Sequence, residues 1–355
     1  MAVTRKLDLR TGQSIWQSRR CPRVAESTLG RDVVCDALVI GAGISGALIA
    51  EMLSDAGLRV VVVDRRGAVR GSTAASTSLI QYEPDKPLTK LAAIVGREKA
   101  ERMWRRSRLA VDALRERSRQ LDIRADLVNR DSLYLSGNVL DRAALLREAD
   151  ARRRAGFNTT FLEKREVSER FGIPGRSALL SYDNFAADPR RHAIGFLRAA
   201  VARGTRLYSP VEVSDVHATR RSVEAGTKGG PVIRCQALVF ATGYEMPKAV
   251  RSKEHRIFST WAIATRPQPR ALWPTQCFIW EAADPYLYMR VSPDQRVICG
   301  GEDEKFSDEE ARDALLIPKK VIIERGEQVV IRRSTTGVFT LVSRDGQSTR
   351  VKRVH

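Results

Sequence analysis

The hydrophobic pattern of this chain changes period within its first seventy positions. Ala37-Leu38-Val39-Ile40 is an unbroken apolar run, suited to a strand buried on both faces. Gly41-Ala42-Gly43-Ile44-Ser45-Gly46 interrupts it, Ala47 to Ala56 resumes as helix, and Gly57 stops that helix. Arg59 to Asp64 then runs through four valines to an acid, a second buried strand. Farther on, Leu88 to Leu121 reads as helices, with Trp104, Val111, Leu114 and Leu121 on one face. Ser132 to Ser136, Ile257 to Thr265 and Tyr286 to Val291 read as strands, and the turn Ser292-Pro293-Asp294-Gln295 leads into another at Arg296 to Cys299. Cys235 to Phe240 reads as one more buried strand, ending in Ala241-Thr242-Gly243-Tyr244-Glu245. Strands and helices come in mixed order, with Gly and Pro at the joints.

The first of these segments is a βαβ unit carrying Gly-x-Gly-x-x-Gly at the strand-to-helix turn. Gly41 permits the tight turn, Gly43 lets a pyrophosphate approach the backbone, and Gly46 lets helix and strand pack closely. The helix N-terminus at Ile44 and Ser45 offers N–H groups and a positive dipole end. Asp64 lies 18 residues after Gly46, where its carboxylate can accept from ribose hydroxyls. An adenine dinucleotide is expected here. Arg65 and Arg66 raise a 2′-phosphate, which Asp64 would repel. The small, hydroxyl-rich stretch Gly71 to Ser78, with Ser72, Thr73, Ala75 and Ser76, suits a loop closing over a pyrophosphate and the edge of a flat ring. A plain linker is the other reading of it.

Composition narrows the partners. Net charge is +19 over 355 residues, from 49 Arg and 12 Lys against 42 acids. The Arg clusters at 105–108, 115–119 and 152–154 fall on amphipathic helices, with no nucleic-acid-binding signature beside them, so no specific nucleic acid is expected. Five cysteines, odd in number and far apart in sequence, point to reduced thiols and a cytoplasmic protein. The four histidines show no ligand spacing, and no metal is expected. No leader pattern or membrane span is expected either.

Together with "DSLYLS", "ADP" at 187–189, "STWAIAT", "PYLYMR" and "ICGGEDEKF", these motifs resemble the FAD-dependent oxidoreductases of the D-amino-acid oxidase superfamily, near glycine oxidase and γ-glutamylputrescine oxidase. The resemblance runs from about Leu7 to Asp313. It implies FAD as cofactor and an α/β fold, α+β overall. A Rossmann-like FAD-binding domain (31–86 and 187–250) would be interleaved with a mixed, largely antiparallel substrate domain (87–186 and 251–315). An extension (1–30) would precede them and a basic tail (316–355) would follow. It also implies that Val213 meets the adenine, that Thr242 and Gly243 lie near the pyrophosphate, and that Tyr286 and Tyr288 line the substrate pocket. Arg290, on the same face by period-two alternation, is then a candidate to hold a substrate carboxylate; an amphipathic strand with Arg at its rim is the alternative. The implied substrate is a small amine or amino acid. No catalytic acid or base is compelled.

After about Leu316 that pattern stops. Residues 319–355 hold nine Lys or Arg against three Asp or Glu and no Gly-Gly-Asn-Gly-like cap for the flavin ring. A shifted reading frame or truncation is expected; a divergent tail with a hairpin over Val321 to Ile331 is the alternative. Loss of the cap would spare the βαβ site and remove catalysis. Three readings therefore stand: an amine or amino-acid oxidoreductase using FAD, an inactive dinucleotide-binding remnant, and an NAD(P)-dependent dehydrogenase.

Overall fold

The computed structural model describes residues 3–4, 6–7, 9, 12–250, 257–304, 330–333, 339–342 and 348–350. A helical turn α1 (Ile15–Ser18), strands β1 (Val33–Val34) and β2 (Ala37–Ile40), helix α2 (Ile44–Asp55), strands β3 (Val60–Val63) and β4 (Leu79–Ile80), and helices α3 (Leu88–Val95) and α4 (Arg97–Gln120) come first. Next are β5 (Val128–Leu135), α5 (Arg142–Arg154), β6 (Thr159–Leu162), α6 (Lys164–Phe171) and β7 (Ala178–Ala186). Helix α7 (Pro189–Ala202) precedes β8 (Arg206–Tyr208), β9 (Val213–Ala218), β10 (Val223–Thr227), β11 (Val232–Cys235) and β12 (Ala237–Phe240). The rest is strand: β13 (Ser259–Ala264), β14 (Phe278–Glu281), β15 (Leu287–Val291), β16 (Val297–Glu304), β17 (Val330–Arg333), β18 (Phe339–Val342) and β19 (Ser348–Arg350).

Two compact units result, Met1–Asn129 with Asp183–Arg256 and Arg130–Tyr182 with Ile257–His355. Residues 87–129 cluster with the first unit, whereas the family resemblance implies a substrate domain that includes them.

The first unit has three layers. Its centre is the parallel sheet β12-β2-β3-β8. The period of two divides its side chains: Val39, Val60 and Val62 face a core shared with Ala47 and Ala50 of α2 and Phe196, Leu197 and Ala200 of α7. Leu38, Val61 and Val63 face Val213, Ala225 and Ile233 of the second sheet, β1-β11-β10-β9. Burial on both sides explains the unbroken apolar runs. Asp188 starts α7 by accepting from the Arg190 and Arg191 N–H groups, with Pro189 in the first turn, so the "ADP" motif is a helix cap. The helical stretch expected over Leu88 to Leu121 is broken at Gly96, whose φ of +83° suits glycine. Trp104 and Val111 are buried and Leu114 and Leu121 pack on the core, as the pattern predicts.

The strand expected over Cys235 to Phe240 is in fact two. β11 belongs to one sheet and β12 to the other, and Gln236 and Ala237 both donate to the Asp36 carbonyl where the chain changes sheet. β12 is an edge strand of intermediate burial, because β2 covers only one side of it. The fold also brings together two cysteines that the sequence keeps apart. The Cys35 thiol donates to the Arg234 carbonyl at 3.8 Å, and burial, with the neighbouring Cys235, pushes it up to about 12. Such thiols are poor nucleophiles.

The second unit is a mixed sheet in the order β13-β16-β15-β14-β5-β7, with β6 on β7. β14 runs parallel to β5, while β14, β15, β16 and β13 pair antiparallel. Leu133, Leu135 and Ile279 meet Val167 and Phe171 of α6 on one face. Tyr134 and Trp280 meet Leu145 and Ala149 of α5 on the other. The Tyr134 and Trp280 rings stack at 3.9 Å, and the Trp280 indole N–H donates to Ser132 Oγ at 2.8 Å. β17, β18 and β19 form a separate antiparallel sheet. Most of the hairpin expected over Val321 to Ile331 lies outside the described residues; from Val330 onward the chain pairs with Phe339–Val342. Among the described residues no helix is long and apolar enough to cross a membrane, and no cluster of His, Cys, Asp or Glu could hold a metal.

Candidate functional site: a dinucleotide cleft

The site is built at the ends of β2, β3 and β12 in the first unit. Gly41 follows β2 with φ +113°, and a Cβ there would lie 2.4 Å from the Ala241 carbonyl oxygen. Gly46 is tighter still, since its Cβ would lie 1.8 Å from the Gly41 carbonyl oxygen. Gly43 caps α2, and a Cβ on it would meet Thr73 Oγ1 at 3.0 Å. The three glycines thus hold the start of α2 against the strand ends, with its first N–H groups at the cleft. One of these is engaged within the protein: Ile44 N–H donates to Thr73 Oγ1 at 3.0 Å, which fixes the hydroxyl-rich turn Ser72–Ala75 beside the helix.

Asp64 follows β3 and is held by three backbone donors. Oδ2 accepts from Ala42 N–H at 2.8 Å, and Oδ1 accepts from Arg66 N–H at 2.7 Å and Gly67 N–H at 3.0 Å. A carboxylate offers about four acceptor sites, so one on Oδ2 remains for a ligand. Asp64 therefore orders the glycine turn and the 65–67 turn as well as facing the cleft.

The two arginines after it are neutralised. Arg66 forks onto Glu245, with Nη1 to Oε2 at 2.8 Å and Nη2 to Oε1 alongside, and also donates to the Leu7 carbonyl at 2.7 Å. Arg65 hydrogen-bonds Thr4 Oγ1 and lies 3.9 Å from both Glu212 and Glu245. Burial pushes the Glu245 carboxyl up, but the hydrogen bonds from Arg66 and Leu7 N–H and the charges of Arg66 and Arg65 outweigh it, leaving a net downward shift.

Of the residues expected to contact the cofactor, Gly41, Gly43, Ile44, Ser45, Asp64, Arg65, Ser72, Thr73, Val213, Thr242 and Gly243 all line one cleft. Its free space, open mouth included, is about 810 Å³. Gly46 acts from behind, by packing. Ala75 and Ser76 do not line it; Ser76 instead accepts the Trp16 indole N–H on its carbonyl and Ser78 N–H on its hydroxyl. Glu212, Glu245, Thr4 and Leu9 also line it and were not expected. Only Glu245 carried a signal, as the acid closing the "ATGYE" strand end.

The substrate-side candidates lie in the second unit. The Tyr286 and Tyr288 rings are 5.8 Å apart, as alternation on one face requires. Tyr288 packs against the Tyr134–Trp280 cluster, its ring over Gly300, where a Cβ would come within 2.5 Å. Arg290 is only 1% exposed, so it sits inside the sheet's packing and not at a rim.

A parallel sheet whose strand ends meet a glycine-capped helix, with an acid closing the next strand, defines a Rossmann-type dinucleotide-binding protein. The chain belongs to the DAO family of FAD dependent oxidoreductases, whose sequence model matches residues 36–346. That match runs past Leu316. A Bacillus subtilis (strain 168) protein named as a Rieske 2Fe-2S iron-sulfur protein is 20% identical over 253 residues, 71% of this chain and 48% of its own length; the chain thus spans about half of that relative. Glycine oxidase from Geobacillus kaustophilus superposes with a TM-score of 0.59 at 20% identity, covering 78% of this chain and 73% of the enzyme. L-Proline dehydrogenase from P. horikoshii gives 0.63 at 17% identity, covering 87% and 86%. At these identities the likeness is one of fold, a mixed α/β architecture with a Rossmann-type FAD-binding portion.

Proposed function

We propose that this chain binds FAD in the cleft and oxidises the C–N bond of a small amine or amino acid. The observation that supports it best is the joint placement of Gly41, Gly43, Asp64, Thr73 and Gly243 around one cleft. The donor set fits FAD. The start of α2 and the hydroxyls of Ser72 and Thr73 would hold the pyrophosphate, the remaining Asp64 Oδ2 site would accept a ribose hydroxyl, and the Val213 main chain would lie by the adenine. Bound FAD supplies a hydride acceptor, so that the amine leaves as an imine and is hydrolysed. The chain's own residues bind and orient.

Arg65 and Arg66 are engaged by Glu212 and Glu245, so the cleft presents little free positive charge to a 2′-phosphate, and this disfavours NADP. Tyr286, Tyr288 and Arg290 are our candidates for the substrate side, on the strength of the resemblance. Purified protein tests the reading. A yellow preparation that bleaches anaerobically with an amino acid or amine supports it. Yellow protein that bleaches with none supports a non-catalytic binding protein, and colourless protein reducing a nicotinamide supports a dehydrogenase.

A further inference from the structure

Two arginines follow the acid that closes β3. An arginine near that place is what lets a dinucleotide cleft accept an adenosine ribose phosphorylated on its 2′ oxygen. We propose that Glu245 is a specificity-determining residue of this cleft: its carboxylate fills the Arg66 guanidinium fork that a 2′-phosphate would need, and so reserves the site for dinucleotides with a free 2′-hydroxyl. The proposal rests on reading the cleft as a site for an adenine dinucleotide.

The backbone and the side chain of Arg66 have different partners. Its N–H donates to Asp64 Oδ1 at 2.7 Å, which ties the residue to the acid placed for the ribose. Its guanidinium is taken by Glu245, with Nη1 donating to Oε2 at 2.8 Å and Nη2 to Oε1 alongside. An arginine makes the same two-pronged, charge-assisted contact with a carboxylate or with a phosphate. Glu245 is placed for it by the turn after β12, where its own N–H donates to the Thr242 carbonyl at 3.2 Å. Arg66, Glu245, Thr242 and Asp64 all line the one cleft. The Glu245 side chain is 5% exposed and that of Arg66 19%, so water and salt screen the pair little.

The other glutamate on the cleft is committed differently. Glu212 Oε2 pairs with Lys228 at 2.9 Å, and Arg65 approaches Glu212 Oε1 only to 3.9 Å. Arg65 stands equally far from Glu245 Oε2, at 3.9 Å. Glu245 is therefore the carboxylate within ion-pair distance of both arginines. Stability alone does not call for such a pair, since a buried ion pair is often no more stable than an apolar one. On the wall of a cleft for a phosphate-bearing ligand, it decides which phosphates find a free guanidinium.

Two nucleotides that differ only in the 2′-phosphate, 5′-AMP and adenosine 2′,5′-bisphosphate, test this on the full-length protein. Each is competed against FAD, with bound flavin read by fluorescence and folding checked by circular dichroism. Wild type should bind 5′-AMP the more tightly. Glu245→Gln keeps the shape of the side chain and removes its charge. It should move the affinity ratio toward the bisphosphate by about tenfold, the effect of one charge-assisted hydrogen bond, and Glu212→Gln should move it less. Adding Arg66→Met to Glu245→Gln should return the ratio to the wild-type value, which a merely loosened cleft would not do. If Glu245→Gln fails to fold, Glu245→Asp, which draws the carboxylate back by one methylene, should move the ratio the same way by less. An unchanged ratio in a folded Glu245 variant, or a gain that survives loss of Arg66, would overturn the selector while FAD binding leaves the dinucleotide reading standing. Wild-type protein that takes up neither FAD nor either nucleotide overturns that reading and the selector with it.

Discussion

Gly46 stands so close to Gly41 that any Cβ on it would lie 1.8 Å from the Gly41 carbonyl oxygen. Its neighbour Gly43 is different, because the nearest obstacle is the movable Thr73 hydroxyl at 3.0 Å. One glycine serves the fold and the other serves the ligand. Gly46→Ala should prevent α2 from seating on the sheet and lower the melting temperature sharply. Gly43→Ala should leave the melting temperature within a few degrees of wild type and reduce flavin content, with Gly43→Val abolishing it. Equal flavin content in Gly43→Val and wild type would remove Gly43 from the cofactor site.

Asp64→Ala should fail on two counts. It removes the acceptor for the Ala42, Arg66 and Gly67 N–H groups as well as the free Oδ2 site. Flavin affinity should fall by roughly 1–3 kcal/mol, the scale for hydrogen bonds to a charged group, and stability should fall as well. Fluorescence titration and thermal melts measured side by side separate the two. Loss of stability with unchanged FAD affinity would make Asp64 a turn-former only.

The βαβ unit was legible because its information is local. Glycine spacing, the apolar runs and the closing acid lie within 28 residues, and β2 matches the expected Ala37–Ile40. Glu245 and Thr4 were not, because their roles arise from pairing with Arg66 and Arg65, residues remote in sequence. Likewise nothing local shows that Cys235 ends one strand and Ala237 begins another in a different sheet. That break is made by Asp36, 200 residues away, whose carbonyl takes both N–H groups. Arg290 could be placed on a face by alternation, but how deeply it is buried depends on the neighbouring strands.

Glu51 offers a test of how the first unit holds its helices. It is fully buried on α2 and pairs with Arg117 of α4 and with Arg203, which caps the C-terminal end of α7, the latter at 2.8 Å. Asp55, one turn on, pairs with the same two arginines but is half exposed. Removing one partner of a buried pair strands its charge, so Glu51→Ala should destabilise by about 2–3 kcal/mol, less than a fully buried pair because the arginines reach water and keep Asp55. Asp55→Ala should cost much less, because its ion pairs are open to water and screened. Urea melts decide it, and equal effects would contradict the assigned roles.

The last prediction concerns acid. His192 on α7 is 2% exposed, with its ring near Phe185 and Phe196. Its Nε2 lies 2.7 Å from Ser118 Oγ. Ser118 gives its single proton to the Leu114 carbonyl, so Nε2 carries the hydrogen of that bond and Nδ1 would have to take the next proton in an apolar setting. Burial accordingly drops the His192 pKa from 6.5 to about 4. The sign follows from linkage: between these values the unfolded chain is protonated and the folded one is not, so stability is full above pH 6.5 and is lost as pH falls toward 4. The loss amounts to about 3 kcal/mol on this group, at 1.36 kcal/mol per unit. Asp188, raised by burial despite the Arg191 and Arg190 N–H groups and nearby arginines, acts in the opposite sense, so the wild type alone would understate the effect. Comparison with His192→Phe isolates it, since every other group titrates in both proteins. The difference in stability between the two should change by about 3 kcal/mol between pH 7 and pH 4, read from urea midpoints at fixed ionic strength. Parallel pH profiles would mean that His192 is charged in the folded protein and that the Ser118 bond holds an imidazolium.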